Sequence, residues 1–191
     1  MQNMSAASSH FEQGNEYYSL GRYDDAIESF DKALEIDPNN SAVWFSHGTV
    51  LFRLGRYNEA IVSFDKALKI NPHFSEAWDN RGVALFKIGR NDDAIVSFDK
   101  AIAINLGYVG AWNGRGTVLF RIGRYEEAIV SYDTALRINP ESYQAWNNRG
   151  VALVELGRYD EAIESYNNAL RINPEYIEAK HNRDELTLKL K

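Results

Sequence analysis

The sequence predicts an all-α solenoid built from repeated pairs of antiparallel helices. Three observations predict it. Four tryptophans, Trp44, Trp78, Trp112 and Trp146, stand 34 residues apart. Two glycine rows keep the same step: Gly14, Gly48, Gly82, Gly116 and Gly150, then Gly21, Gly55, Gly89, Gly123 and Gly157. All four prolines, Pro38, Pro72, Pro140 and Pro174, fall on a third row. Self-similarity at a fixed period marks a stack of like units, none of which can bury its apolar face alone. Function is therefore expected on a long repeated surface rather than in one pocket.

Each element follows from its residues. In Ser41 to Phe74, the first segment reads SAVWFSHGTVLFRLG. Trp44, Gly48 and Leu51 share one helical face, and Val43, Val50 and Leu54 mark a neighbouring apolar arc. Gly55 supplies the backbone freedom that a helix C-terminus needs. The second segment, YNEAIVSFDKALKI, repeats Ala60, Phe64, Ala67 and Leu68 at helical spacing. Acidic residues cluster in the first turn of this second helix (Asp24-Asp25, Asp92-Asp93, Glu126-Glu127, Asp160-Glu161), where they favour a helix N-terminus. Asn71-Pro72 then ends it, because proline cannot continue the ladder. Each helix should be ~13–14 residues, about 20 Å at 1.5 Å per residue. Small Gly48, Ala60 and Ala67 sit where helices approach closely, and large Trp44 and Phe64 fill the spaces between.

The spacing places five units at 7–40, 41–74, 75–108, 109–142 and 143–176, after an N-terminal segment 1–6 expected to be a flexible tail. Residues 177–191 read as one further helix, with Ala179, Leu186 and Leu190 apolar and the rest largely charged, as a solenoid cap should be. Gly107, Gly110 and Gly114 lie outside the two glycine rows, and Asn105-Leu106 replaces Asn-Pro at the same junction. The boundary between the third and fourth units is therefore expected to be the most compliant.

These residues resemble the tetratricopeptide repeat family over about nine-tenths of the chain. Its 34-residue period and its tryptophan, glycine, alanine, aromatic and proline positions match. Two positions depart. The usual leucine before the first glycine is Gln13, His47, Arg81, Arg115 or Arg149, and the usual tyrosine after it is leucine in all but the first copy, which keeps Tyr17. The resemblance implies a right-handed superhelix of helix-turn-helix units, and a concave groove that takes peptides or helices of partner proteins.

Beside the buried arcs of the first helix, Phe45, Thr49, Phe52 and Arg53 fall on the remaining arc. The Phe52 row reads Tyr18, Phe52, Phe86, Phe120, Val154, and the next reads Ser19, Arg53, Lys87, Arg121, Glu155. The Phe45 row turns polar, through Asp79, Asn113 and Asn147, and the Thr49 row continues as Val83 and Thr117. An apolar ladder beside a basic one suits a partner carrying apolar and acidic residues. The competing reading has the phenylalanines touching neighbouring helices. Asparagines in the groove could bond a partner's backbone or simply be solvated.

Other rows have plainer readings. Val62, Val96 and Val130 could form an apolar strip on the outer side, although single exposed valines are ordinary. Arg22, Arg56, Arg90, Arg124 and Arg158 stand beside acidic pairs and read as local ion pairs. Arg81, Arg115 and Arg149 occupy a normally apolar position, so their stems should pack while the guanidinium reaches solvent or a carboxylate. The clamp variant of the family, which holds chaperone C-termini, matches only at Asn15; Phe11, Ser46 and Glu76 depart from it.

Composition bounds the remaining classes. A content of 45% apolar and 25% charged residues is that of a soluble folded chain. No run approaches the ~20 apolar residues that span a bilayer, and no signal peptide pattern opens the chain, so a cytoplasmic protein without membrane contact is expected. The absence of cysteine excludes disulfides and thiol chemistry. A net charge of −6 argues against nucleic acid. His10, His47, His73 and His181 lack ligand spacing, and no phosphate loop, dinucleotide fingerprint or nucleophile elbow occurs. The expectation is a non-catalytic binding module without cofactor or metal. The alternatives are a self-associating scaffold, or a repeat region acting with a separate catalytic subunit.

Overall fold

A computed structural model describes residues 2–190. Among these residues there are eleven helices and no strand. They are α1 (Gln2–Ser19), α2 (Tyr23–Ile36), α3 (Ser41–Arg53), α4 (Tyr57–Ile70), α5 (Ser75–Lys87), α6 (Asn91–Ile104), α7 (Val109–Arg121), α8 (Tyr125–Ile138), α9 (Tyr143–Glu155), α10 (Tyr159–Ile172) and α11 (Ile177–Lys189). From α2 to α11 the helices are 13 or 14 residues long, as the spacing predicts. One end differs. A flexible tail is expected over residues 1–6, whereas α1 already begins at Gln2, and Met1 lies outside the described residues.

The chain forms two compact units, Met1–Ile104 and Asn105–Lys191. The division falls at the junction that lacks the proline. In the first unit each helix packs on the next, from α1 to α6, and α1, α3 and α5 also touch in series. The second unit repeats this from α7 to α11, with α7, α9 and α11 in series. The odd-numbered helices thus line one face of each unit.

Packing within a pair explains the first glycine row. A Cβ on Gly48 would lie 2.7 Å from the Phe64 ring, and one on Gly150 would lie 2.5 Å from the Tyr166 ring. The aromatic of the even helix therefore rests on the glycine of the odd helix. Phe30, Phe64 and Phe98 are fully buried there, worth about 3 kcal/mol each by transfer from water. Gly55 shows why the second row exists. Its φ is +76°, a left-handed conformation, and two bonds close the helix end: Gly55 N–H donates to the Phe52 carbonyl at 3.0 Å and Arg56 N–H to the Leu51 carbonyl at 2.9 Å.

The tryptophans do more than fill space. Each indole Nε1 donates to a carbonyl in the turn before its helix: Trp44 to Pro38, Trp78 to Pro72 and Trp146 to Pro140, each at 2.9 Å. Trp112 makes the same bond to Leu106 at 3.0 Å. The turn at Asn105 also keeps its side-chain bond, Gly107 N–H to Asn105 Oδ1 at 3.0 Å, matching His73 to Asn71 at 3.1 Å. The missing proline removes a ring but leaves the turn's hydrogen bonds in place.

The departures from the usual leucine are structural stitches. Arg81 Nε donates to Asp65 on α4 at 2.6 Å, and its Nη1 donates to Ser97 on α6 at 2.6 Å. Arg149 repeats both bonds, to Asp133 and Ser165, at 2.6 Å each. Arg115 donates to Ser131 at 2.8 Å. His47 holds this place in the second pair, with Nδ1 2.9 Å from Ser63 Oγ and Nε2 3.4 Å from Asp31. Ser63, Ser97, Ser131 and Ser165 are all buried. The turn arginines form local ion pairs as expected, for example Arg56 with Glu59 and Arg158 with Glu161, both at 2.6 Å.

Candidate functional site

In the first unit the odd-helix face carries Tyr18, Phe45, Thr49, Phe52, Asp79, Val83 and Phe86, all half-buried, with Arg53 and Lys87 exposed beside them. The Phe52 row is not free. Phe52 packs on Tyr57 at 5.2 Å between ring centroids and Tyr18 packs on Tyr23 at 5.9 Å. In each pair, the last turn of the odd helix leans on the tyrosine that opens the next. Phe86 has no such ring, because Asn91 stands where the tyrosine would be. The rings of Tyr18 and Phe52 thus pack internally while staying half-buried, and Phe86 is half-buried without such a ring contact.

Phe45 is held more firmly, against Phe74 at 4.7 Å and Phe64 at 6.0 Å. Thr49 bonds its own helix, donating to the Phe45 carbonyl at 2.9 Å. Between α1 and α3 these residues leave a recess of about 160 Å³, lined by Asn15, Tyr18, Phe30, Phe45, Ser46 and Thr49. It has room for one aliphatic side chain. Arg53 does not line it, but the Tyr18 hydroxyl beside it holds the exposed guanidinium even more firmly protonated. Lys87 is exposed one repeat further on. The recess brings Tyr18, Phe45 and Thr49 together, and Asp79, Val83 and Phe86 do not line it.

In the second unit Phe120 packs on Tyr125 at 5.4 Å, with Arg121 exposed next to it. Thr117 donates to the Asn113 carbonyl at 2.9 Å and stands 3.4 Å from the Tyr132 hydroxyl. Burial pushes the Tyr132 phenol up to about 12. Asn113 is half-buried and its Oδ1 meets no donor. Asn147 departs from expectation. It is only 6% exposed, and its Oδ1 accepts from Asn182 of α11 at 3.0 Å. The terminal helix covers it, so it is not a contact for a partner.

That helix also changes the face chemically. Val151, Val154, Tyr159, Tyr166 and Leu186 line a cleft of about 350 Å³ together with Glu155 and the Glu185–Lys189 ion pair. On α4, α6 and α8 the valines Val62, Val96 and Val130 are more than half exposed, one per repeat. Sequence reasoning missed the small recess at Tyr18 and Phe45. The signal was present: Phe45 is aromatic while Asp79, Asn113 and Asn147 in its row are polar.

No helix among the described residues is long and apolar enough to cross a membrane. Family comparison matches two tetratricopeptide descriptions: "TPR repeat" over residues 14–55 and 48–89, and "Tetratricopeptide repeat" over 80–142 and 113–177. Among curated proteins no sequence matches. Solved structures do. A crystal structure of MamA protein is 29% identical, with 91% of this chain and 94% of that one covered and a TM-score of 0.82. YrrB, described as a TPR protein with an unusual peptide-binding site, is 24% identical over 92% of this chain and 90% of its own, with a TM-score of 0.77. A tetratricopeptide repeat protein from Parabacteroides merdae ATCC 43184 is 22% identical, covers 97% of this chain and 74% of its own, and has a TM-score of 0.85. The chain belongs to the tetratricopeptide repeat family, a fold of protein–protein interaction scaffolds.

Proposed function

We propose that the protein is a non-catalytic scaffold that binds a polypeptide segment on the face lined by its odd-numbered helices. The segment carries apolar and acidic side chains. The observation that carries this reading is the recess at Tyr18, Phe45 and Thr49, with the exposed Arg53 in the next row of the same face. Half-buried aromatics lose little conformational freedom when covered, so they anchor well. Exposed cations beside them steer an acidic partner and set its orientation. Phe52, Phe86 and Lys87 extend the surface in the first unit, and Phe120 and Arg121 provide the same pairing in the second. The setting is taken to be cytoplasmic.

Replacing Phe52, Phe86 and Phe120 by alanine should weaken capture of the partner several-fold while the helical circular dichroism stays unchanged. Reversing Arg53, Lys87 and Arg121 to glutamate should slow association and change its dependence on salt. Partner binding at wild-type strength in both variants would overturn the assignment. Light scattering separates the scaffold that binds other chains from one that assembles with itself: a monomer at working concentration removes the second.

A further inference from the structure

Away from that face, the first unit has a second recess, of about 520 Å³, lined by Pro38, Asn39, Trp44, Lys66, Lys69 and Ile70. It lies between the turn that precedes α3 and the C-terminal half of α4, and none of the residues assigned above lines it. The Lys66 ammonium sits 3.9 Å over the Trp44 ring, and Lys69 follows three residues later on α4. Among the described residues neither lysine has a carboxylate partner. The nearby acids are engaged elsewhere. Asp65 pairs with Arg81, Glu59 pairs with Arg56, and Asp37 accepts from the Asn39 amide.

The repeat is its own control. At Trp78 the two lysine positions hold Lys100 and Ala103, at Trp112 Thr134 and Arg137, and at Trp146 Asn168 and Arg171. Only at Trp44 are both of these positions cationic. The whole chain is acidic, with a net charge of −6, so this local excess of positive charge is not part of a general basic surface. Most of the lining is exposed. A small molecule needs 70–90% of its surface buried for tight binding, which a shallow recess does not give. A polypeptide segment held elsewhere needs only a few contacts here.

We propose that the Trp44–Lys66–Lys69 recess is a second contact point for the partner segment, holding an aspartate or glutamate carboxylate between the two ammonium groups and an adjacent apolar side chain against Trp44 and Ile70. This rests on the reading that the partner is an apolar and acidic polypeptide. A carboxylate bridging two ammonium groups makes charge-assisted hydrogen bonds, and it gives Lys66 a counter-charge that the indole face supplies only weakly. Pro38 and Ile70 then flank the neighbouring side chain.

The Trp44 indole N–H bonds the Pro38 carbonyl within the recess, so its nuclear magnetic resonance signal reports occupancy. The probe is a capped synthetic peptide of two glutamates, one leucine and two glutamates, with a control in which glutamine replaces glutamate. The Trp44 indole signal should move saturably with the acidic peptide and stay still with the control, while those of Trp78, Trp112 and Trp146 do not move. Lys66→Gln combined with Lys69→Gln should abolish the shift. No Trp44 shift, a shift shared equally with the other tryptophans, or a shift that survives in the lysine variant overturns the proposal. Phe52→Ala with Phe86→Ala separates the two sites. If that variant keeps both full partner binding and the Trp44 shift, the odd-helix face fails as a site and the recess stands.

Discussion

The joint between the first two helix pairs and the joint between the last two use the same position differently. At the last, Arg149 spans from Asp133 on α8 to Ser165 on α10 with two bonds of 2.6 Å. At the first, His47 reaches Ser63 at 2.9 Å but Asp31 only at 3.4 Å. Both side chains also lie against the tryptophan one turn earlier: His47 on Trp44 at 5.9 Å and Arg149 over Trp146 at 5.9 Å. The packing is conserved within the chain while the charge is not. An arginine joint is charged at every physiological pH, whereas a histidine joint is charged only if the protein permits it.

The largest test of that comparison is truncation. Arg149→Ala removes two charge-assisted bonds and leaves Asp133 without its partner, a cost of about 2 kcal/mol. His47→Ala at pH 7 removes one neutral hydrogen bond and a weak contact, about 1 kcal/mol. Hydrogen exchange would place each loss locally, in α8 to α10 for the first and α2 to α4 for the second. Equal losses at pH 7 would show that the two joints are held alike, by packing of the stems alone.

Acidification separates the joints without mutation. Burial pushes the His47 imidazole below its ordinary value of 6.5, and Arg56 and Lys66 add to this, while Asp31 and Glu59 pull the other way. The folded protein therefore binds this proton less tightly than the unfolded chain. The stability that His47 contributes is full above pH ~6.5 and is lost as pH falls through the lowered value. Protection factors in α2 to α4 should drop between pH 7 and pH 5 in the wild type and hold in His47→Gln. Those in α8 to α10 should hold in both. A matching drop around Arg149 would assign the effect to the general titration of carboxylates instead.

The sequence shows the period, the helix lengths and the rows that pack, because each depends on residues within one repeat. The row at Arg81 and Arg149 is legible only halfway. An arginine in an apolar row should pack its stem and reach out, and it does. Which carboxylate it reaches depends on how adjacent pairs face each other, and that comes from the stacking. The partners do leave a trace: Asp31, Asp65, Asp99 and Asp133 precede the row by 16 residues, and Ser63, Ser97, Ser131 and Ser165 follow it by 16. The candidate face is less legible. Asn147 belongs to the same row as Asp79 and Asn113, yet α11 covers it, and only the presence of a further helix in the stack decides that.

The smallest test converts one joint into the other. His47→Arg places a guanidinium between Asp31 and Ser63, the arrangement that Arg81 makes with Asp65 and Ser97. The gain is limited. Asp31 is 57% exposed, so the new ion pair is largely screened and should add about 0.5 kcal/mol at pH 7. Arg56 and Lys66 oppose a permanent charge there just as they oppose the imidazolium. The new side chain would also lie toward the Trp44 ring, as Arg81 lies over Trp78 at 5.6 Å, and so would compete with Lys66 for that face. The expected result is slightly greater protection of α2 to α4 at pH 7, and no loss of it on acidification to pH 5. Lower protection at pH 7 would mean that repulsion from Arg56 and Lys66 exceeds the pairing with Asp31. Histidine would then be the residue that this joint requires, and the difference between the two joints would originate in the cations around Trp44 rather than in the stitch itself.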